Sequence, residues 1–440
     1  MDFQNIEQQK KNIKSEKTRS FWGGLATGMG VSFVLVMCTL FVVGIFTYID
    51  LENYDGPKEQ IVIEDNSGAG NPPESITLEG EVVSQDVIEK MQVIEQVIDQ
   101  HFYQEDTDKQ AMVDGIYKGM VSSLGDPYSE YYTVEELNEL LEGIEGVYYG
   151  IGCYVSMDTA MGLAKISGII SGAPAEEVDI RPNDYVYAVD GVETYGMSLD
   201  EVVSLIKGPE GSKVLITFIR DGEYIDIEVE RRKVEAPTVE TEMFNNGIAY
   251  IQITEFDEVT IEQFESALKE ARKQDMKGLI IDLRANPGGS LNAVVEIAKQ
   301  ILPKGLIVYT EDRNGNRKEY SCDGRKELEV PLVVLIDGNS ASASEILAGA
   351  IKDYGIGTLV GTTTFGKGIV QQAISLGDGS AVKLTISSYY SPKGNNIHGV
   401  GIEPDIVWEF DGDRYYSDEA YDNQLEKAKE VLLDLINQAN

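Results

Sequence analysis

The stretch GLIIDLR, residues 278–284, predicts a strand buried on both faces, because its apolar run is continuous rather than alternating. A second stretch of the same character is PLVVLID at residues 331–337. Around them, the hydrophobic spacing predicts another strand at residues 247–253 and helices at residues 260–273, 291–302 and 344–351. Buried strands that alternate with helices are typical of an α/β layer whose sheet is covered on both faces.

Two loops follow these buried strands at the edge of the sheet where α/β folds place their active sites. The first is NPGG at residues 286–289, and the second is GNSAS at residues 338–342, which leads into a helix. A nucleophile in the second loop would lie at a helix N-terminus, where free N–H groups favour developing negative charge. The glycines of the first loop permit the close backbone approach that an oxyanion hole needs.

A serine cluster, GNSASASE at residues 338–345, is followed by a glycine-flanked lysine in FGKG at residues 365–368 and then by Gln371. A serine hydroxyl is a poor nucleophile until a base removes its proton. The chain has only two histidines, His101 and His398, and neither has a catalytic partner pattern. Because burial lowers the pKa of a lysine, the lysine can replace histidine as the base. The pattern predicts a serine hydrolase without a catalytic histidine, with three serines as candidates.

Length, charge and cysteine usage restrict the possible functions. A chain of 440 residues predicts about three units. The formal charge is −39, with 75 acidic and 36 basic residues, and this excludes nucleic acid as a partner because phosphate binding needs a basic surface. Cys153 and Cys322 form neither a disulfide framework nor a metal-ligand spacing. We therefore expect no metal and no cofactor.

The N-terminus predicts a membrane anchor. Residues 1–20 form a basic tail, and residues 21–48 contain no charged side chain. An uncharged run of this length can span a bilayer of about 30 Å as a helix. The positive flank predicts a cytoplasmic N-terminus, so a single-pass cell-membrane protein with its other residues outside the cytoplasm is expected. The alternative is a cleaved signal peptide, but the run is long and ends without a clear cleavage site.

Composition divides the rest of the chain. Residues 49–83 form an acidic, Gly- and Pro-containing linker that cannot bury much apolar surface. Residues 84–143 have apolar side chains at helical spacing, which predicts helices for packing or dimerisation. A last helix, residues 418–438 of the C-terminal helical segment 410–440, could serve the same purpose.

Residues 144–233 predict a separate β unit with two helices. The helices are a short one that begins at GAPA, residues 172–175, and a longer one at residues 198–207. The strands are expected at residues 151–155, 164–170, 185–189, 214–219 and 224–229.

This unit resembles a PDZ domain of the kind found in bacterial proteases. The matching elements are the G-I-G loop at residues 150–152, G-A-P-A, R-P-N-D at residues 181–184 and V-D-G at residues 189–191. PDZ domains bind an extended C-terminal peptide as an added strand and hold its carboxylate with main-chain N–H groups. The resemblance implies a carboxylate loop made of Tyr149, Gly150, Ile151 and Gly152. The alternative is that this loop is only a hairpin turn.

The chain as a whole, over residues 84–409, resembles the carboxyl-terminal processing peptidases, which are also called tail-specific proteases. The resemblance implies an α/β serine-peptidase core of the crotonase-like kind over residues 234–409. It rests on these motifs: D-P-Y-S (126–129), D-L-R-x-N-P-G-G (282–289), G-N-S-A-S-A-S-E (338–345), F-G-K-G-x-x-Q (365–371), S-P-K-G (391–394) and G-V-G-I-E-P-D (399–405).

The family's serine-to-lysine spacing selects Ser342 as the nucleophile. The resemblance further implies that Lys367 is the general base, that Gln371 orients the lysine amine, and that the N–H groups of Gly288 and Ala343 form the oxyanion hole. Each residue also has an ordinary interpretation: a helix cap for the serine, a solvated loop residue for the lysine and an exposed strand residue for the glutamine.

Three positions depart from the family patterns. Asp179 and Asn183 replace glycines, at turns whose backbone angles Asn and Asp tolerate better than most residues. Lys207, in K-G-P, replaces the arginine of an R-G-P segment at the end of the PDZ helix. If that arginine links the PDZ domain to the catalytic residues, lysine is a weaker bidentate partner.

The predicted protein is therefore multi-domain α/β: an N-terminal transmembrane helix, a helical segment, a PDZ domain and a peptidase core. We expect a membrane-anchored endopeptidase that cleaves exported or partly unfolded proteins near their C-termini, with peptides that have free C-termini as partners and a homodimer as a possible assembly. The alternatives are a non-catalytic PDZ adaptor or scaffold and a crotonase-type acyl-CoA enzyme.

Overall fold

The computed structural model of the chain describes residues 82–104, 107–417 and 421–439. The predicted basic tail (1–20), membrane anchor (21–48) and nearly all of the linker (49–83) lie outside the described residues. Within the described ranges, no helix is both long and apolar enough to span a bilayer.

The N-terminal region is mostly helical, as predicted, but it also contains a short strand. Its elements are α1 (Gln85–His101), α2 (Lys109–Ser122), β1 (Glu130–Tyr132) and α3 (Val134–Glu145). A capping box fixes the start of α3, where the Thr133 hydroxyl accepts from the Glu136 N–H and the Glu136 carboxylate accepts from the Thr133 N–H. In contrast, α1 has no buried side chain, so its apolar stripe does not pack within the described part of the chain.

The next unit has the strands expected of the PDZ resemblance. Its elements are β2 (Val147–Gly150), β3 (Cys153–Asp158), β4 (Leu163–Ile169), β5 (Tyr185–Val189), β6 (Val192–Glu193), α4 (Leu199–Ile206), β7 (Lys213–Arg220), β8 (Glu223–Glu230) and β9 (Arg232–Glu235). The sheet has the order β3-β4-β5-β7-β8, with β6 on β5, and the separate pair β2-β9 joins the unit to its neighbours. The shorter predicted helix is a single 3₁₀ turn, Pro174–Glu177.

The two positions in this unit that replace glycines have different outcomes. Asn183 lies in the left-handed region with φ 75°, which explains why glycine or asparagine suits the position. Asp179 instead forms ion pairs, with the Arg181 guanidinium at 2.7 Å and the Arg220 guanidinium at 2.9 Å. Its role here is therefore electrostatic, and it anchors the turn to β7.

The next unit contains the predicted peptidase core and the C-terminal segment, and it is called the peptidase unit after that prediction. Its elements are β10 (Val239–Phe244), β11 (Ile248–Ile253), α5 (Glu258–Lys273), β12 (Gly278–Asp282), α6 (Leu291–Ala298), β13 (Gly305–Asp312), β14 (Arg317–Cys322), β15 (Leu332–Ile336), α7 (Ala343–Tyr354), β16 (Thr358–Gly361), β17 (Ile369–Ser375), β18 (Ala381–Tyr390), β19 (Ile406–Val407), α8 (Gly412–Tyr415) and α9 (Asn423–Ala439).

The unit contains two sheets. The first has the order β10-β11-β12-β15-β16-β19 and is parallel except at β10, and every residue of β12 and β15 is buried, as their apolar sequences predict. The second is antiparallel, with the order β1-β18-β13-β14 and with β17 on β18. Because β1 belongs to this sheet, the region predicted to be only helical also supplies a strand to the peptidase unit.

The C-terminal helix corrects a prediction. Its buried side chains Ala428 and Leu432 pack in one apolar cluster with Ile280 of β12 and Val333 of β15. The apolar face of α9 is therefore covered by the chain's own first sheet. The sequence left open whether this face packs against a second copy, and the structure buries it within the chain.

Candidate active site

The second glycine-containing loop places Ser342 in an unusual backbone conformation. The residue lies between β15 and α7 with φ 59° and ψ −111°, a strained conformation for a side chain with a Cβ. It is 0% exposed, and its Oγ is buried without a hydrogen-bond partner among the described residues. A buried hydroxyl rarely stays unpaired, and such exceptions are concentrated at functional sites.

The other two serines of the cluster have structural roles. Ser340 Oγ donates to the carbonyl of Leu283 at 2.8 Å, and Ser344 Oγ donates to the carbonyl of Asn286 at 3.0 Å. These bonds tie the second loop to the chain that follows β12. Of the three candidates, only Ser342 has an uncommitted hydroxyl, so the geometry and the family spacing select the same residue.

The first glycine-containing loop lies directly against the nucleophile. A Cβ added to Gly288 would be 2.8 Å from Ser342 Cβ and 3.0 Å from the Ala343 nitrogen, so only glycine fits there. Ala343 is the first residue of α7, and its N–H has no acceptor within the helix. The Gly288 N–H, however, donates to Asn286 Oδ1 at 2.8 Å. The two predicted oxyanion donors are together, but one of them is engaged within the loop.

A buried carboxylate that sequence reasoning missed connects the nucleophile to the lysine. Glu345 Oε2 accepts from the Ser342 N–H and the Lys367 N–H, both at 2.8 Å, and Oε1 accepts from the Gly366 N–H at 2.7 Å and the Thr364 hydroxyl at 2.6 Å. Burial raises the pKa of Glu345, and these hydrogen bonds act in the opposite direction. One carboxylate oxygen thus holds the main chains of nucleophile and base side by side.

The lysine is buried, as a general base requires. Lys367 is 3% exposed, and burial, followed by the neighbouring charge of Lys383, lowers its pKa to about 7. Its Nζ lies 4.6 Å from the centroid of the Tyr128 ring. The alternative of a solvated loop lysine is therefore wrong.

The predicted orienting residue, Gln371, is also buried rather than exposed. Its Nε2 donates to Thr385 Oγ1 at 3.0 Å across the β17–β18 pair, whereas its Oε1 has no hydrogen-bond partner among the described residues. Since Ser342 Oγ and Gln371 Oε1 are both unpartnered, the three predicted side chains are not hydrogen bonded to one another. The structure joins the main chains of Ser342 and Lys367 through Glu345 and leaves the three side chains without a mutual hydrogen bond.

A turn from the N-terminal region completes the site. The motif D-P-Y-S, residues 126–129, precedes β1, and its Tyr128 ring faces Lys367. The Ser129 hydroxyl donates to Asp126 Oδ2 at 2.6 Å and accepts from the Thr385 N–H at 3.2 Å. Sequence reasoning gave this motif no role, and the only signal was its presence in the family pattern.

The predicted peptide-binding loop divides between a strand and a turn. Tyr149 and Gly150 belong to β2 and pair with β9, whereas Ile151 and Gly152 form the turn into β3. The Ile151 carbonyl accepts from the Ala175 N–H at 2.7 Å. Next to the turn, β3 is an edge strand of its sheet, with α4 packed beside it. An edge strand of this kind can accept an added peptide strand.

The lysine that replaces the family's arginine contacts the N-terminal region. Lys207 Nζ lies 3.0 Å from Glu142 Oε2 of α3 and 5.6 Å from the centroid of the Tyr148 ring. Both members of the ion pair are about one third exposed, and exposed pairs of this kind contribute little to stability. At this point the PDZ-like unit is joined to α3 rather than to the catalytic side chains.

Comparisons with known proteins agree with these features. A family profile described as Peptidase family S41 matches residues 247–408, a PDZ domain profile matches residues 165–220, and the profile of the Activating protease CtpB N-terminal domain matches residues 42–136. The matched region of the chain is 38% identical to the Carboxy-terminal processing protease CtpB of Bacillus subtilis over 311 residues, which are 69% of this chain and 64% of that protein.

Two further relatives extend the comparison. The chain is 34% identical to the Carboxyl-terminal-processing protease of Synechocystis over 296 residues, which cover 66% of this chain and 69% of that protein. Among solved structures, the photosystem II D1 C-terminal processing protease is 30% identical, with a TM-score of 0.43 and coverage of 72% of this chain and 86% of that chain. The match to the Bacillus protein spans just under two thirds of its length. The chain belongs to the carboxyl-terminal processing serine peptidase family, with a PDZ domain.

Proposed function

We propose that this protein is a serine endopeptidase in which Ser342 is the nucleophile, Lys367 the general base and Gln371 the residue that orients the lysine. The observation that carries the proposal is the shared carboxylate of Glu345, which binds the main-chain N–H groups of Ser342, whose hydroxyl is unpartnered, and of Lys367, whose side chain is buried. A lysine with a pKa of about 7 is half neutral near neutral pH and can accept a proton.

The proposed reaction follows from these groups. Ser342 Oγ attacks the scissile carbonyl while Lys367 Nζ accepts the hydroxyl proton, and the lysine then gives that proton to the leaving amine. The developing oxyanion is stabilised by the Ala343 N–H and by the Gly288 N–H once Asn286 Oδ1 releases it. Water completes the cycle by hydrolysing the acyl-enzyme.

The arrangement seen here needs an adjustment before catalysis. Ser342 Oγ and Gln371 Oε1 have no partners among the described residues, so the lysine amine must form hydrogen bonds with them before catalysis. We infer that this state precedes substrate binding, because catalytic hydrogen bonds often tighten only in the complex.

The substrates that we propose are exported or partly unfolded proteins cleaved near their C-termini. The names of the relatives, carboxy-terminal processing proteases, support this class. In the PDZ unit, the edge strand β3 would accept the substrate's C-terminal residues, and the turn at Ile151 and Gly152 would hold the carboxylate. Cys153, Val155 and Met157 of β3 are partly buried apolar side chains, which favours an apolar C-terminus.

We also propose a membrane-anchored, extracytoplasmic location, on the basis of the uncharged run at residues 21–48 and its basic flank. A homodimer through the N-terminal helices is part of the proposal, since apolar side chains of α1 such as Ile88, Val93 and Ile94 are exposed. The crotonase-like arrangement of the core remains a prediction from the family resemblance.

The test of this proposal is peptide cleavage by the full-length protein in detergent. Substrates would have diverse C-termini, and Ser342→Ala would be the blank. We expect cleavage by the native chain that the variant lacks, with little change in stability because the removed hydroxyl makes no hydrogen bond. Peptide binding without cleavage would favour the adaptor, and turnover of acyl-CoA thioesters without peptidase activity would favour the crotonase-type enzyme.

A further inference from the structure

The D-P-Y-S turn lies against the strand that faces Gln371. Asp126 Oδ1 accepts from the Tyr128 N–H at 3.1 Å, and Oδ2 accepts from the Ser129 hydroxyl at 2.6 Å. The same Ser129 oxygen accepts from the Thr385 N–H at 3.2 Å. These bonds fix the Asp126 carboxylate over β18, more than 250 residues away in sequence.

Thr385 connects this turn to the predicted orienting residue. It pairs with Gln371 across the β17–β18 ladder, and its Oγ1 accepts from Gln371 Nε2 at 3.0 Å. Its main-chain N–H donates to the Ser129 hydroxyl, so the D-P-Y-S turn holds the residue whose hydroxyl oxygen is the acceptor for the amide.

The hydrogen bond to Thr385 fixes one orientation of the Gln371 amide. The NH₂ end donates to the Thr385 hydroxyl oxygen, and the carbonyl oxygen points the other way. That carbonyl oxygen, Oε1, is buried and unpartnered among the described residues. A buried acceptor without a partner is an expensive feature unless a donor reaches it during function.

We propose that Thr385, held in place by the D-P-Y-S turn, is a positioning residue that presents the Gln371 carbonyl oxygen to the Lys367 amine. The inference rests on the proposed function, because it gives Gln371 the task of orienting that lysine. An independent contact supports it: Tyr128, from the same turn, has its ring centroid 4.6 Å from Lys367 Nζ. The turn therefore contacts Lys367 directly and Gln371 through Thr385.

The experiment compares Thr385→Val with Thr385→Ser in the full-length protein. Valine preserves the shape of the side chain but removes the hydroxyl oxygen that accepts from Gln371. Serine retains that oxygen. We expect kcat for peptide cleavage to fall about 10–100-fold in Thr385→Val with KM nearly unchanged, and Thr385→Ser to stay within about threefold of native. Thr358→Val, on β16 of the other sheet, is the matched control and should behave as native.

Two readouts separate positioning from a structural effect. In Thr385→Val the acid limb of the kcat profile should move to lower pH, because the amine loses an acceptor that favours its ammonium form. In a Gln371→Ala background, Thr385→Val should cause no further loss of kcat. Native kcat in Thr385→Val, or a full additional loss in the double variant, would overturn the proposal.

Further variants keep the inference open to refutation. If Thr385→Val does not fold, Ser129→Ala decides, because it removes the hydroxyl that accepts from the Thr385 N–H; we expect kcat to fall about threefold or more, and native kcat would overturn the proposal. If the native chain cleaves nothing, the proposed function fails separately. In that case, the NMR resonances of the Gln371 side-chain NH₂ group test the positioning role. They should shift in Thr385→Val and not in Thr385→Ser, and unchanged resonances in both variants would overturn the positioning role of Thr385.

Discussion

The two halves of the candidate site are held in place by different means. The nucleophile half is fixed by main-chain contacts within the peptidase unit: the N–H of Ser342 is bound by Glu345, and its carbonyl accepts from the Tyr389 hydroxyl at 3.1 Å. The base half depends on side chains, and Lys367 and Gln371 are supported by a turn that comes from the N-terminal region.

This difference shows which half of the site can change its conformation before catalysis. A strained serine held by a buried carboxylate has little freedom, whereas the lysine amine and the glutamine carbonyl have no hydrogen bond to it or to each other. We infer that the main chain of Ser342 is already in place, with the Gly288 N–H still to be released by Asn286, and that activity is set mainly on the base half. The predictions that follow test each half separately.

The largest effect is expected from removing the base. Lys367→Ala should reduce kcat for peptide cleavage by about 10⁴-fold, and Lys367→Arg should not restore it because a guanidinium stays protonated. Lys393→Ala, in an exposed loop, is the control with native rates. A fall in kcat of less than tenfold in Lys367→Ala would show that Lys367 does not accept the proton of the Ser342 hydroxyl.

The second test addresses the link between the two halves. In the native protein, both carboxylate oxygens of Glu345 accept hydrogen bonds from N–H or O–H donors. In Glu345→Gln, an NH₂ group takes the place of one of these oxygens and cannot accept, so we expect the free energy of unfolding to fall by about 2–4 kcal/mol. Misplacement of nucleophile and base should also reduce kcat about 10–100-fold. Urea denaturation and initial rates measure the two effects, with the exposed Glu262→Gln as control. Native stability would contradict the role of Glu345.

The third and smallest effect concerns pH. The neutral amine of Lys367 is the active form, so kcat/KM should rise with pH, change about tenfold per pH unit below its pKa of about 7, and level off above it. Burial is the main cause of this low pKa and the charge of Lys383 the next, so Lys383→Met should raise the pKa and move the acid limb to higher pH. An acid limb that stays in place, or moves to lower pH, would contradict this.

The nucleophile half could be predicted from the sequence because its parts are local. The apolar runs before residues 286 and 338 identified the two buried strands, and the loops that follow them carry Gly288 and Ser342. The strain at Ser342 and the central role of Glu345 could not be predicted, because composition does not show which of several nearby carboxylates is buried against main-chain N–H groups.

The base half could be predicted only in part, for a physical reason. The glycine-flanked setting of Lys367 predicts a base and the family pattern implies the role of Gln371, but the residues that support them are distant in sequence, as the hydrogen bond between Ser129 and Thr385 shows. The strand β1 was hidden because Glu130–Tyr132 is too short to give a periodic signal between two helices. Likewise, the apolar stripe of α9 has the same appearance whether it covers a sheet or a second copy.

The most direct test of the central claim is labelling of the full-length protein with a fluorophosphonate, followed by mass spectrometry of the modified peptide. We expect one adduct, on Ser342, at a rate that rises with pH to a plateau above about 7 and is lost in Lys367→Ala. Modification of Ser340 or Ser344, or a Ser342 adduct whose rate is the same in Lys367→Ala, would contradict a nucleophile activated by this lysine.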